Sequence, residues 1–119
     1  MNTGSLLLVD DDRHVLASMS DWLREQGFDV VEADNCRDAV EQIERHKLDL
    51  VLADVRLPDG DGFDILDYCN ENHPALTVIL LTGYGTVETG VEAIRAGAFD
   101  LLTKPLIDEE LRMSIKRAL

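Results

Sequence analysis

Basic residues are scarce in this chain of 119 residues, where 11 Lys and Arg stand against 24 Asp and Glu and the formal net charge is −13. Contacts to nucleic-acid phosphates or to an anionic membrane surface need clustered Lys and Arg, so we expect direct binding to neither. Apolar runs of roughly 20 residues, the length that spans a bilayer, are absent. Residues 1–5 also lack the basic start of a signal peptide. These shortages predict a cytoplasmic protein.

The chain also has few cysteines and no nucleotide-binding glycine loop. Cys36 and Cys69 are its two cysteines, and they do not form a CxxC pair. Such spacing is typical of free thiols in a reducing compartment rather than of a disulfide framework. The absence of a Gly-x-x-x-x-Gly-Lys motif argues against a nucleotide as phosphoryl donor.

Five short apolar runs alternate with amphipathic stretches. Three of these runs are nearly continuous in Leu, Val and Ile, a composition typical of strands covered on both faces in a parallel sheet. The stretches between them have apolar residues at helical spacing; Val87, Val91, Ile94 and Ala98 form such a face in the fourth. The predicted strands are residues 6–9, 28–32, 48–53, 77–81 and 99–102.

This alternation of strand and helix, without a linker or a repeat, predicts one doubly wound α/β domain over residues 1–119. Ligands of such sheets bind beyond the carboxyl ends of the strands. The residues that directly follow each apolar run are therefore the candidates for a functional site.

Acidic side chains follow two of the predicted strands. Asp10, Asp11 and Asp12 come after the first, and Asp54 comes after the third. If the first strand is central, its carboxylates share a crevice with Asp54. Like charges at close range recruit cations, and Mg²⁺ prefers carboxylate, carbonyl and water oxygens. Lys104, after the fifth strand, supplies a further positive charge.

A carboxylate surrounded by a metal ion, a lysine and a hydroxyl suits phosphoryl transfer, in which the main task is to position and neutralise oxygens. Thr82 and Gly83 follow the fourth strand, and Thr82 supplies the hydroxyl. Because a carboxylate can itself act as the nucleophile, the pattern favours an aspartyl phosphate on Asp54.

Four motifs occur in order along the chain: Val9-Asp10-Asp11, Asp54-Val55-Arg56-Leu57-Pro58 with Asp61-Gly62, Thr82-Gly83, and Lys104-Pro105. With them the chain resembles the receiver domain of two-component response regulators over essentially its whole length. Two stretches, residues 81–85 and 97–100, are most similar to receivers of NtrC-like enhancer-binding activators. The resemblance implies a flavodoxin-like (βα)5 fold, a five-stranded parallel sheet of order 2-1-3-4-5 with helices on both faces.

The resemblance also implies the roles of the acidic residues. Asp54 would be the phosphoacceptor. Mg²⁺, or Mn²⁺ in its place, would be bound directly by Asp11, Asp54 and the backbone carbonyl of Arg56. Asp10 would act mainly through a metal-bound water. Asp12 is left outside the site, because an aspartate at the start of a helix more often caps it.

Lys104 would pair with the phosphoacceptor before phosphorylation and with a phosphoryl oxygen after it. Thr82 would turn its hydroxyl toward the phosphoryl group, and Gly83 would offer a backbone N–H in tight quarters. The bond between Lys104 and Pro105 would be cis, which would aim the lysine inward.

The implied function is a phosphorylation-dependent signalling switch rather than an enzyme that acts on an outside substrate. The domain would accept a phosphoryl group from a sensor histidine kinase and would catalyse its own phosphorylation and dephosphorylation. The expected output face is built by the fourth helix, fifth strand and fifth helix, with a homodimer formed through it and transcription as the output. An effector domain is expected beyond Leu119.

The chain departs from the family pattern at one position. Receivers commonly carry Tyr or Phe three residues before the lysine, where this chain has Leu101. Arg56 and Tyr84 occupy the two positions that tune the access of hydrolytic water in this family, and their large side chains predict a long-lived phosphoaspartate.

Two other readings stay open from the residues alone. An aspartyl-phosphate phosphatase of the haloacid-dehalogenase type also carries a DxD motif after its first strand, but Arg13 and His14 do not match the residues that follow that motif. A degenerate receiver would serve only as a docking module, and the complete acidic set argues against it.

Overall fold

The five predicted strands form one parallel sheet in the computed structural model, which describes residues 4–83 and 85–119. Numbered along the chain, the sheet strands are β1 (Ser5–Val9), β2 (Asp29–Ala33), β3 (Leu50–Asp54), β4 (Thr77–Thr82) and β5 (Asp100–Thr103). They lie in the order β2-β1-β3-β4-β5, and every neighbouring pair is parallel. The predicted fold class and strand order are thus confirmed, and the strand ends differ from the prediction by only one or two residues.

Five helices cover the two faces of this sheet: α1 (Arg13–Glu25), α2 (Cys36–Arg45), α3 (Gly62–Asn72), α4 (Val87–Arg95) and α5 (Asp108–Ala118). The alternation of side chains along a strand determines which helices each residue meets. Leu7 of β1 belongs to a core cluster with residues of α2, α3 and α4. Its neighbour Leu6 belongs to a second cluster with residues of α1 and α5. Both faces of the three central strands β1, β3 and β4 are therefore buried, which explains their nearly continuous apolar sequences.

A short antiparallel hairpin, which the sequence did not predict, follows β3. Arg56–Leu57 pairs with Gly60–Asp61, and Pro58 and Asp59 form the turn between them. Asp61 then begins α3 as the N-cap residue of a capping box with Asp64. The hairpin matters for function because it fixes the position of the residues that directly follow Asp54 at the end of β3.

Of the apolar face predicted for the fourth helix, Ala98 lies in the core but the three larger side chains do not. Val87, Val91 and Ile94 are 84%, 45% and 58% exposed, whereas Ala93 is fully buried. Helical periodicity identifies a stripe but not what covers it. Here the sheet is met through the small Ala93, and the larger side chains point to solvent.

The helices in the described part of the chain lack the combination of length and apolarity that a bilayer-spanning helix needs.

Two buried serines allow a matched test of hydrogen bonding in the core. Ser114 donates a hydrogen bond of 2.6 Å to Asp100 Oδ2, whereas Ser20 Oγ has no hydrogen-bond partner among the described residues. Ser20→Ala should raise the free energy of unfolding by about 0.5 to 1 kcal/mol, because it removes an unsatisfied hydroxyl. Ser114→Ala should lower it by about 1 to 2 kcal/mol, because Asp100 loses a donor. Chemical denaturation measures both, and equal losses would contradict the assignment.

Candidate functional site

Two buried carboxylates lie side by side at the carboxyl edge of the sheet. Asp10 directly follows β1, and Asp54 ends the adjacent β3, where Val9 and Ala53 are paired in register. Asp10 is fully buried, and Asp54 is 8% exposed. Burying an ionised carboxylate is costly unless it gains hydrogen-bond partners, so the surroundings of both side chains must supply donors.

Lys104 supplies a donor to both carboxylates. Its Nζ lies 2.8 Å from Asp10 Oδ2 and 2.8 Å from Asp54 Oδ2, and it donates a hydrogen bond to each. Burial by itself would lower the pKa of Lys104, but the hydrogen bonds and Coulomb attraction of the two carboxylates outweigh it and raise that pKa above its usual value. The lysine is therefore an ammonium ion at neutral pH and holds the ends of β1, β3 and β5 together.

Backbone N–H groups donate hydrogen bonds to the other oxygen, Oδ1, of each of these two carboxylates. The N–H of Asp12 donates to Asp10 Oδ1 at 2.9 Å, and the N–H of Arg56 donates to Asp54 Oδ1 at 3.2 Å. Asp12 itself caps α1, where its side chain accepts a hydrogen bond from the N–H of His14. Both buried carboxylates are thus oriented by the protein, and the expected separation of Asp12 from the acidic cluster is confirmed.

Asp11 is the exposed member of the acidic cluster. Oxygen atoms of Asp10, Asp11 and Asp54 all lie within 4.8 Å of one another. One lysine does not neutralise three carboxylates, and a cluster of hard oxygen donors open to solvent on one side suits a divalent cation such as Mg²⁺. The residues present therefore fit the metal that the sequence predicts.

Thr82 and Gly83 lie at the same edge of the sheet. Thr82 ends β4 and is 5% exposed, and its carbonyl accepts a hydrogen bond of 2.7 Å from the N–H of Lys104. The peptide bond between Lys104 and Pro105 is cis, as the resemblance implied. Gly83 is exposed, and a Cβ added there would meet none of the described residues within 4 Å. The contact of its backbone N–H with a phosphoryl group stays a prediction.

Gly62 is a residue of the site to which the sequence assigned no role. A Cβ at this position would lie 2.7 Å from the backbone oxygen of Asp54, and the N–H of Gly62 donates to the carbonyl of Val55 at 2.9 Å. Only glycine lets the start of α3 approach the end of β3 so closely. Its place in the Asp61-Gly62 motif was the available signal, but a motif alone does not reveal a backbone contact.

The departure at Leu101 is visible in the structure. Leu101 is half-buried in β5, pairs in register with Leu80 and packs against the cluster that contains α2, α3 and α4. An aliphatic side chain thus stands where many receivers have an aromatic one. Tyr84, the other position singled out from the sequence, lies outside the described residues.

Comparison with known proteins agrees with this geometry. The family model described as response regulator receiver domain matches residues 6–116. The chain belongs to that family. Receiver domains of response regulators accept phosphoryl groups from histidine kinases and typically use Mg²⁺.

The receiver domain is similar to part of longer regulators and to isolated receivers. It is 38% identical over 119 residues to the response regulator protein PilR of Pseudomonas aeruginosa, covering all of this chain and 27% of PilR. It is 40% identical over 114 residues to the transcriptional regulatory protein ZraR of Escherichia coli K12, covering 96% of this chain and 26% of ZraR. The chain therefore spans about a quarter of the length of these relatives.

A solved structure shows the same likeness in three dimensions. The beryllofluoride-activated NtrC4 receiver domain dimer superposes with a TM-score of 0.90 at 38% identity, covering 96% of this chain and 94% of that one. The resemblance to receivers of NtrC-like activators, inferred from the motifs, is thereby confirmed.

The exposed carboxylate of the cluster offers a clean test of the site's electrostatics. In the presence of a chelator, Asp11→Asn should raise the free energy of unfolding by about 0.5 kcal/mol, the size typical of a screened interaction between charges near the surface. Saturating Mg²⁺ should stabilise the wild-type chain and stabilise the variant less, because a ligand is lost. Denaturation curves with and without Mg²⁺ measure both effects.

Asp21→Asn is the matched control, since Asp21 is exposed on α1. The control should respond to Mg²⁺ as the wild-type chain does. An Asp11→Asn variant that Mg²⁺ stabilises as much as the control would contradict the metal site.

Proposed function

We propose that the receiver domain is a phosphorylation-dependent switch that accepts a phosphoryl group from a sensor histidine kinase on Asp54. The observation that carries the proposal is the ammonium group of Lys104, which is hydrogen-bonded at once to Asp10 and Asp54. This arrangement places a positive charge beside the oxygen that would attack phosphorus, and a charge prepositioned to pass to the phosphoryl oxygens stabilises the transition state.

The transfer follows from the positions of these groups. An oxygen of Asp54 forms the new bond to phosphorus while the P–N bond of the donor breaks, and the electron pair of that bond leaves with the protonated imidazole. Lys104 then exchanges its bond to Asp54 for a phosphoryl oxygen while its bond to Asp10 keeps it in place. The hydroxyl of Thr82 and the backbone N–H of Gly83 would bind the remaining oxygens.

Asp11, Asp54 and the backbone carbonyl of Arg56 are the proposed direct ligands of Mg²⁺ or Mn²⁺. Asp10 would act mainly through a metal-bound water, because its side chain is fully buried and keeps its bonds to Lys104 and to the N–H of Asp12 after Lys104 has left Asp54. When bound, the ion neutralises the charge of the phosphoryl oxygens. With the same residues, the domain would catalyse its own phosphorylation by small phosphoryl donors and its own dephosphorylation.

A groove beside Lys104 gives a protein donor access to the site. The groove has a volume of about 610 Å³ and lies between α1 and the segment that joins β5 to α5, with Met19, Trp22 and Leu106 among its lining residues. Met19, Trp22 and Leu106 are half-buried, and apolar and aromatic side chains that line a groove next to a reactive group favour docking of a partner. A sensor histidine kinase that presents its phosphohistidine here is the proposed donor.

The output of the switch would be a change in the α4–β5–α5 face. Val87, Val91 and Ile94 form an exposed apolar stripe on α4, and a groove of about 800 Å³ runs along it beside Leu101 and Thr103 of β5. We propose that a second copy of the chain covers this stripe after phosphorylation. The relative NtrC4 receiver, which is described as an activated dimer, supports that occupant. In a longer regulator, such pairing would control transcription.

Removal of the phosphoacceptor tests the chemistry directly. Asp54→Asn should reduce phosphorylation by acetyl phosphate and Mg²⁺ to background, because an amide cannot form the acyl phosphate. Intact mass spectrometry reports the added phosphoryl group, and Asp21→Asn should be labelled like the wild-type chain. Unchanged labelling of the Asp54 variant would contradict the assignment of Asp54 as the phosphoacceptor.

Self-association tests the proposed output face. Ile94→Asp should weaken dimerisation of the beryllofluoride-activated chain by about tenfold or more, because it would bury a carboxylate in an apolar contact. Ala17→Asp is the control, since Ala17 is exposed on α1, against the opposite face of the sheet. Analytical ultracentrifugation distinguishes the variants, and a wild-type chain that stays monomeric on activation would overturn the dimer.

A further inference from the structure

The first turn of α2 is attached to the hairpin that follows β3. Asp59, in the turn of that hairpin, accepts a hydrogen bond of 2.8 Å on Oδ1 from the N–H of Cys36 and one of 3.0 Å on Oδ2 from the N–H of Arg37. The Sγ of Cys36 lies 3.3 Å from the backbone oxygen of Asp61 and donates to it. Both the turn and the second strand of the hairpin are thus bonded to the start of one helix.

These bonds complete the capping of α2. A helix begins with N–H groups that have no partner inside the helix. Among the described N–H groups of this first turn, the side chain of the N-cap residue Asn35 accepts a hydrogen bond from that of Asp38, at 2.8 Å. The N–H groups of Cys36 and Arg37 are left to Asp59, 22 or more residues further along the chain. A carboxylate at the positive end of a helix also gains from the helix dipole.

The hairpin in turn determines where the carbonyl of Arg56 lies. Arg56 pairs in register with Asp61, and its N–H donates to Asp54 Oδ1. A Cβ at Gly60 would lie 2.6 Å from Asp64 Oδ2 and 3.2 Å from Cys36 Sγ, so the hairpin fits closely against the starts of α2 and α3. A backbone carbonyl has no rotamer of its own, and its direction follows from the path of the chain.

We infer that Asp59 is a positioning residue for the metal site: by binding the start of α2 it holds the hairpin so that the Arg56 carbonyl faces the cluster of Asp11 and Asp54. The inference rests on the metal ligands proposed above. Asp59 does not belong to the acidic cluster and acts only through the backbone. Hydrogen bonds from the N–H groups of Cys36 and Arg37 also lower the pKa of Asp59, so the carboxylate is ionised at neutral pH.

Metal binding without any phosphoryl donor measures this effect. Mn²⁺ is titrated into the chain, and free Mn²⁺ is followed by electron paramagnetic resonance. Asp59→Ala should raise the dissociation constant about tenfold, the lower end of what loss of a supporting partner costs a metal site. Asp59→Asn should fall between Asp59→Ala and the wild-type chain, because its amide oxygen can still accept one of the two N–H bonds.

Asn35→Ala is the matched control, because it removes a cap from the same helix without touching the hairpin. Its melting temperature should fall, as that of Asp59→Ala should, but its Mn²⁺ dissociation constant should stay within about twofold of the wild-type value. Thermal melts show that each variant is folded at the titration temperature.

The outcomes separate the two levels of the proposal. Wild-type-like Mn²⁺ binding by Asp59→Ala, or equal weakening by Asn35→Ala, overturns the positioning role and leaves the metal site standing. A wild-type chain that binds no Mn²⁺ overturns the metal site itself and the role of Asp59 with it.

Discussion

The ammonium group of Lys104 between Asp10 and Asp54 is the interaction on which the rest of the site depends. Without that cation, a fully buried carboxylate would lie beside a nearly buried one with no lysine charge to offset the cost of burying them. The lysine reaches them from β5, while its own N–H is bonded to the carbonyl of Thr82 at the end of β4. One residue therefore ties together the carboxyl ends of four strands.

The sheet and most of the site could be predicted from the sequence for a physical reason. Strands buried on both faces must be nearly continuous in apolar residues, and parallel strands bring the residues after them to one edge. Asp10, Asp54 and Lys104 could be placed together on that basis alone, although they lie far apart in the chain. The roles of the Arg56 carbonyl and the Gly83 N–H came from the family resemblance, because spacing does not tell which atom of a residue meets a ligand.

What escaped prediction depends on neighbours distant in sequence. The stripe of Val87, Val91 and Ile94 has the periodicity of a core face, and only the packed structure shows that the small Ala93 meets the sheet instead. Gly62 and Asp59 escaped for the same reason. Their importance lies in one close approach to the Asp54 carbonyl and in two hydrogen bonds to α2, and neither contact has a local sequence pattern.

The division of the helices between the two faces of the sheet determines where binding partners would lie on the domain. The groove beside Lys104 lies on the face covered by α1 and α5, whereas the exposed stripe of α4 belongs to the helices packed on the other face. A single layer of strands lies between the groove and the stripe. Because α5 lines the groove and also belongs to the proposed output face, a kinase bound beside Lys104 and a second copy bound at α4, β5 and α5 would meet at that helix.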